Sequence, residues 1–197
     1  SEAIRTIRML RGGIATGDST FHDDYNPTAC LAGFIVRFAD KGSQLFQLGS
    51  LIARDAVVQL LKAESIHDMH TTLCYIRLMQ YLEEADATSL VDYPAFKRKL
   101  MDVVRQLITQ DTSIWEESYI CRPSQFFQTN DSIFYDDNRM LADYECSFII
   151  KTQRNDGSWE IPWCWSDYPE QWAISKNWWK SNGIIQNLLY LRGLGKL

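Results

Sequence analysis

The sequence lacks the signals of several common protein classes. It has 20 basic against 25 acidic residues, and a net charge of −5 leaves no basic surplus with which to bind nucleic acid. The longest apolar run, residues 29–36, is too short to span a bilayer. The first ten residues lack the apolar core of a signal peptide. We therefore expect neither a nucleic-acid partner nor a membrane span.

Cysteine and histidine are also poorly placed for cross-links or metal sites. The five cysteines are odd in number and contain no Cys-x-x-Cys pair, which favours reduced thiols and a cytoplasmic location over a disulfide framework. The only histidines are His22, His67 and His70. No P-loop, dinucleotide-binding or Ser-His-Asp signature is present. We expect no metal and no cofactor.

The composition favours one globular, helical domain. Apolar residues make up 46% and charged residues 23% of 197 positions, enough for a sizeable core. No segment has the pattern of a strand pair, whereas runs with helical spacing recur throughout. The sequence therefore predicts an all-α fold and a single domain over residues 1–197.

Two kinds of helix are predicted from the distribution of apolar residues. Outer helices, with one apolar side, are expected over 44–62, 96–108 and 138–153. The apolar stripe of the last of these is predicted to be Met140, Leu141, Tyr144, Phe148 and Ile149. Helices that are apolar on nearly every side, and hence expected to be buried, cover 28–38, 72–82 and 184–191. A shortened buried helix is expected within 119–127, because Pro123 suits a first helical turn.

A repeat underlies this alternation. Thr28 and Cys30 recur as Thr72 and Cys74, 44 residues later, and a second pair of similar segments is QDTSIW (110–115) and QRNDGSW (153–159). Repeats of this length with two helices each are typical of stacked helical hairpins. Alternating buried and outer helices predict an α/α toroid-like array, and the alternatives are an irregular helical bundle and an open solenoid.

The segment 153–159 carries a motif. Its pattern Gln153-x3-Gly157-x-Trp159 resembles the Gln-Trp motif of the squalene–hopene and oxidosqualene cyclases, whose toroid is shared with the protein prenyltransferase β subunits. The resemblance implies that the motif closes an outer helix and is structural. Gln153 is expected to cap the last carbonyls of the helix, Gly157 to supply the turn, and Trp159 to pack back over the helix end.

Paired aspartates are the candidate catalytic groups. Phe21-His22-Asp23-Asp24 and Phe134-Tyr135-Asp136-Asp137 share an aromatic-x-Asp-Asp pattern, and terpene cyclases similar to this family use aspartate as a proton donor. The alternative role of these aspartates is helix capping in solvated loops. Prenyltransferase β subunits bind zinc through Asp, Cys and His, but no His follows Cys146 here, so we expect no zinc.

Aromatic residues are the candidate ligand-binding groups. Six of the seven tryptophans fall between 159 and 179. The predicted ligand-binding residues are Trp163, Trp165, Trp172, Tyr135, His67 and His70. The resemblance implies an apolar, isoprenoid ligand in a central aromatic-lined cavity of a catalytically degenerate domain. The alternatives are a carbohydrate-active α/α barrel that uses paired aspartates and a protein-interaction scaffold without a small ligand.

The number of predicted hairpins is too small to close a toroid. We therefore expect an incomplete ring, with an apolar final hairpin over 177–194 left uncovered. Either a preceding N-terminal part of a longer chain or a second copy of this one would cover it.

Overall fold

The computed structural model describes residues 25–64, 68–116 and 119–197. These residues contain six α-helices and no strand, which confirms the all-α prediction. None of these helices combines the length and the apolar character needed to cross a bilayer. The helices are α1 (Thr28–Phe38), α2 (Gln44–Lys62), α3 (Met69–Glu84), α4 (Tyr93–Leu107), α5 (Tyr135–Thr152) and α6 (Pro169–Gly193). Short 3₁₀ turns cover Thr88–Leu90, Thr112–Ile114 and Pro123–Gln125.

The described chain divides into two compact units. Unit 1 ends at Val104 and unit 2 is Arg105–Leu197. The expectation of one domain over 1–197 stays a prediction.

Unit 1 is built on α1, which packs against both α2 and α3. The interior side of α2 is a continuous row of buried residues that includes Ile52, Ala56 and Leu60. Two helix starts are capped by side chains: Ser43 Oγ accepts from the Phe46 amide at 3.1 Å, and Asp68 Oδ2 accepts from the Thr71 amide at 2.7 Å. These caps fix where α2 and α3 begin.

The prediction that residues 28–38 are buried on every side is wrong. Small residues, Ala29 and Ala32 among them, form the buried side of α1, whereas Phe34 and Phe38 are exposed. Their rings pack on each other with centroids 4.7 Å apart, and each contacts the ring of Tyr81. Small residues allow close approach of the neighbouring helices, so the bulky apolar residues lie on the outside.

The prediction for residues 72–82 is largely confirmed, because most of α3 is buried and Arg77 is an exposed exception. The repeated threonines Thr28 and Thr72 are both buried in the first turns of α1 and α3. The repeat therefore corresponds to two helices that pack against each other within unit 1.

The predicted one-sided helix 96–108 corresponds to α4. Its apolar residues Phe96, Leu100 and Val104 are buried, whereas Arg98 and Asp102 are exposed. The two kinds of side chain divide the helix as the sequence predicts.

The predicted apolar stripe of 138–153 is wrong in part, although the helix itself exists as α5. Met140 is 87% exposed and Tyr144 is also exposed. The buried side runs instead through Asn138, Ala142, Glu145, Cys146 and Ile149. Two polar residues lie on the core side, which is why a stripe defined by apolar residues alone is displaced.

The prediction that 184–191 is buried on every side is also wrong. In the whole of α6 only Tyr190 and Leu191 are buried, so the helix is anchored at its C-terminal end. There Gly193 lies so close to the chain at Gln128 that a Cβ atom would stand 2.0 Å from the Gln128 carbonyl oxygen. The predicted short buried helix within 119–127 is a 3₁₀ turn with Pro123 at its start.

Candidate functional site

The Gln153–Trp159 segment closes the C-terminal end of α5. The indole N–H of Trp159, which is buried, donates to the carbonyl oxygen of Ile149 at 2.8 Å. Ile149 lies in the last turn of the helix, where carbonyls lack helical partners. Gly157 has a φ of +80°, so this turn uses a left-handed conformation that glycine adopts without strain.

Gln153 differs from its expected role. Its side-chain amide donates to the Gly157 carbonyl oxygen at 3.1 Å and so braces the turn itself. The neighbouring Arg154 and Glu160 form an ion pair across the same turn. Trp159 rather than Gln153 therefore supplies the side-chain donor to a last-turn carbonyl of α5.

A second turn with the same internal bonding lies at 111–115. Asp111 Oδ1 accepts from the amide and the hydroxyl of Ser113 at 3.0 and 2.6 Å, and Asp156 Oδ1 accepts from those of Ser158 at 3.0 and 2.7 Å. These hydrogen bonds lower the pKa of both aspartates.

A buried tryptophan follows each of these turns. The indole N–H of Trp115 donates to the Thr109 carbonyl at 3.2 Å, and its ring packs edge-on against Tyr144 and Phe148 of α5. Trp115 and Trp159 thus both fix the position of α5.

Four other tryptophans form a cluster, which we call the tryptophan cluster: Trp163, Trp165, Trp172 and Trp179. The ring centroid of Trp163 lies 4.9 Å from that of Trp172 and 5.1 Å from that of Trp179. Trp165 lies 6.2 Å from Trp163 and 5.7 Å from Trp172. Trp165 and Trp179 remain 43% and 41% exposed, so the cluster presents indole surface to solvent. Three of the predicted ligand-binding residues are therefore brought together.

The other predicted residues lie elsewhere. Tyr135 packs edge-on against Phe127 at 6.2 Å, and the Arg139 guanidinium lies 5.6 Å from its ring centre. His70 is exposed in the first turn of α3. The predicted residues His22, Asp23, Asp24 and His67 lie outside the described residues.

Asp136 and Asp137 are exposed in the first turn of α5. Acidic side chains at this position stabilise a helix through its dipole. Their catalytic role stays a prediction.

Glu145 was not predicted from the sequence as a site residue. It is a fully buried carboxylate on α5 that contacts the Pro123–Gln125 turn and α6. It accepts hydrogen bonds from the Ser124 amide at 2.8 Å and the Ser124 hydroxyl at 2.6 Å. The Arg122 Nε atom lies 3.8 Å from Glu145 Oε1. The only signal in the sequence is its position, since Glu145 is spaced with Ala142 and Ile149 as a core residue would be.

Burial dominates the electrostatics around Glu145. Desolvation raises its pKa, against the opposing effects of Arg122 and Ser124. Tyr190 of α6 has a raised pKa because it is buried and lies near the Glu145 charge. The buried Tyr190 hydroxyl and the Glu145 carboxylate lie close enough to shift each other's pKa in opposite directions, lowering that of Glu145 and raising that of Tyr190. Glu145 therefore joins three elements of unit 2 and has no route to a substrate through solvent.

The cysteines and acidic groups form no metal site among the described residues. Asp143 pairs with Lys196 at 3.2 Å, and burial raises the pKa of Cys146 to about 11. All five cysteines are described, and none is in a disulfide. Cys146 therefore remains a protonated thiol at neutral pH.

Comparison with protein-family models, with curated proteins and with solved structures finds no match for this chain. The likeness to the terpenoid cyclases thus depends on the Gln153–Trp159 motif alone.

Proposed function

We propose that unit 2 binds an apolar, isoprenoid-like ligand on the tryptophan cluster and does not act on it chemically. The observation that carries this proposal is the contact of four indole rings outside the core, two of them more than 40% exposed. Large aromatic surfaces left in solvent are typical of ligand and interaction sites.

The shape of the cluster favours a flexible apolar chain over a sugar. The ring planes of its four contacting pairs are inclined by 41°, 46°, 55° and 78°. None of these contacts is parallel, so the rings form an uneven apolar surface rather than a flat platform. A branched, flexible hydrocarbon can follow such a surface, whereas successive sugar rings stack best on flat ones.

The motif supports a wider proposal about architecture. We propose that the helices belong to an α/α toroid-like array of the terpenoid cyclase and prenyltransferase type, with an incomplete ring. The support is the Trp159–Ile149 hydrogen bond, which closes the end of α5 in the way that the resemblance implies for an outer helix. The proposed degeneracy has two supports: Glu145 is fully buried, and Asp136 and Asp137 are exposed.

Calorimetric titration with farnesol, kept below its aggregation concentration, tests the binding proposal. We expect saturable binding that is lost in Trp165→Ala. The matched control is Tyr168→Ala, which removes an exposed aromatic residue three positions away that has no ring contact with the cluster in the described structure. Binding of a cello-oligosaccharide in place of farnesol would favour the carbohydrate alternative. Binding of neither probe would contradict the proposal.

A further inference from the structure

Helix α6 has apolar residues on two opposite sides. One side carries Trp172 and Trp179 of the tryptophan cluster, and the buried Tyr190. At 3.6 residues per turn, a second set projects from the other side. This second set, which we call the exposed stripe, comprises Ile174, Trp178, Ile185, Leu188 and Leu189.

The exposed stripe is unusually apolar for a solvent-facing helix. Trp178 is 73%, Ile174 65% and Ile185 55% exposed. A helix that is apolar on both sides is normally covered on both sides. The ligand proposed above uses the tryptophan cluster, so it leaves the exposed stripe free.

We propose that the exposed stripe is a self-association surface, on which α6 of a second copy of this chain docks in antiparallel orientation about Ser181. The spacing supports helix-to-helix packing. Positions 174, 178, 181, 185 and 188 follow one another in steps of four and three, the seam spacing of paired helices.

Ser181 suits the centre of such a contact. It is small, and its hydroxyl already donates to the Asn177 carbonyl oxygen at 2.9 Å within its own helix. Covering it would leave no unsatisfied hydroxyl, which would otherwise be costly. Two helices can therefore approach closely at this point.

A twofold axis at Ser181 also matches side chains across the interface. In a twofold contact, residues at equal distances on either side of the axis face each other. Ile174 and Leu188 are each seven positions from Ser181, and Trp178 and Ile184 are each three, so apolar residues meet apolar residues at these levels, whereas Ile185 meets the polar Asn177.

The charges at the two ends of the seam select the orientation. Glu170 and Arg192 are each eleven positions from Ser181, so antiparallel copies bring opposite charges together at both ends. Parallel copies would place like charges side by side. The two lysines Lys176 and Lys180 lie on the other side of the helix.

The size of the surface is sufficient for a weak dimer. The exposed stripe offers on the order of 500 Å² per copy, and hence about 1,000 Å² in total, which lies at the lower end of specific interfaces. The seam is uncharged along its flanks at Asn177 and Asn182, so two identical copies do not repel each other there.

Sedimentation velocity over a range of protein concentrations tests the proposal. We expect a monomer–dimer equilibrium, with Trp178→Glu weakening the dimer roughly 30-fold or more, as for a central interface residue. Lys176→Glu is the matched control, because it places the same charge on the opposite side of α6, and it should leave the dimer intact. A protein that stays monomeric at every concentration would overturn the proposal.

Charge exchange and cross-linking test the orientation. Glu170→Arg should weaken the dimer roughly tenfold, and adding Arg192→Glu should restore it. In a Cys164→Ser background, Ser181→Cys should form an intermolecular disulfide on oxidation, whereas Asn187→Cys should not. If the charge exchange leaves the dimer unchanged and Asn187→Cys forms the disulfide, the dimer uses a surface other than the exposed stripe, and the proposal is overturned. Farnesol binding is also measured with Trp178→Glu. A monomeric variant that still binds farnesol would show that self-association and ligand binding are independent, so that either proposal can fail alone.

Discussion

Six of the seven tryptophans of unit 2 fall into two groups with different surroundings, and the seventh, Trp178, lies on the exposed stripe. Trp115 and Trp159 are buried, and each donates its indole N–H to a backbone carbonyl near a helix end. The tryptophan cluster lies beyond them along the chain, and its rings contact chiefly one another. The first group is fixed by both burial and hydrogen bonds, whereas the second retains exposed ring surface.

This difference separates stability from binding. A buried tryptophan with its N–H satisfied contributes both apolar burial and a hydrogen bond to the fold. A half-exposed tryptophan loses less solvent contact on folding than a buried one and keeps surface that a ligand can cover. Substitutions in the two groups should therefore affect different measurements.

The largest effect is expected for Trp159→Ala. Removal of this buried side chain should lower the free energy of unfolding by roughly 3–5 kcal/mol, because a large core cavity forms and the Ile149 carbonyl loses its partner. The measurement is chemical denaturation. Trp165→Ala, in the tryptophan cluster, should cost less, on the order of 2 kcal/mol, because 43% of this side chain is already exposed in the folded state. Equal losses for the two variants would remove the distinction between the groups.

The next effect concerns how the tryptophan cluster is anchored. Gly193→Ala should destabilise unit 2 by roughly 1–3 kcal/mol, because the added Cβ would meet the Gln128 carbonyl oxygen, and backbone cannot move away cheaply. Gly183→Ala in the same helix is the control. No atom lies within 4 Å of its added Cβ, and alanine favours helix, so it should stabilise slightly. If Gly193→Ala also stabilised the protein, the close packing of the C-terminal end of α6 against Gln128 would be contradicted.

The buried Glu145 should make the free energy of unfolding depend on pH. Its pKa is raised by burial, so the folded state holds the proton more tightly than the unfolded state. Stability from this group is complete below the unfolded pKa, about 4.3, and is lost as pH rises through the folded pKa. The free energy of unfolding should therefore fall from mildly acidic pH towards neutral.

Glu145→Gln should remove this slope, because glutamine does not titrate. Asp137→Asn, an exposed substitution in the same helix, should leave it unchanged. The measurement is the denaturation midpoint at several pH values between about 4.5 and 7.5. A slope that survives in Glu145→Gln would assign the pH dependence to another group.

The smallest expected effects compare the two Asp–Ser turns. Asp111→Ala and Asp156→Ala should lower the melting temperature by similar small amounts, since each aspartate accepts the same pair of bonds from a serine. Both carboxyls have a lowered pKa, so their contribution is present above the unfolded pKa and disappears as pH falls through the folded one. A change in only one variant would show that the two turns are not equivalent.

The sequence predicted the bounds of the helices better than it predicted which of their side chains are buried. The helices at 28–38 and 44–62 have the predicted bounds, because the spacing of their apolar residues marks them, and the structure adds the Ser43 cap that starts the second. The sequence overestimated the burial of α1 and α6. An apolar helix surface indicates that another group covers it, but it does not indicate whether that group belongs to the same chain.

The candidate site was predicted only in part. Three cluster tryptophans could be found because they crowd into one short segment, whereas Trp179 joins them through its position on α6. Glu145 could not be found, because a charged residue is normally assigned to the exposed side of a helix. Its burial depends on Ser124 and Arg122, which come from a distant part of the sequence.

Fluorine NMR of protein labelled with 5-fluorotryptophan tests the central claim most directly. Each of the seven tryptophans gives its own resonance, and farnesol is added in steps. We predict that the resonances of the tryptophan cluster shift and saturate, while those of Trp115 and Trp159 stay in place. Shifts at Trp115 or Trp159 with an unchanged cluster, or no shifts at all, would contradict the division between tryptophans that hold the fold and tryptophans that bind a ligand.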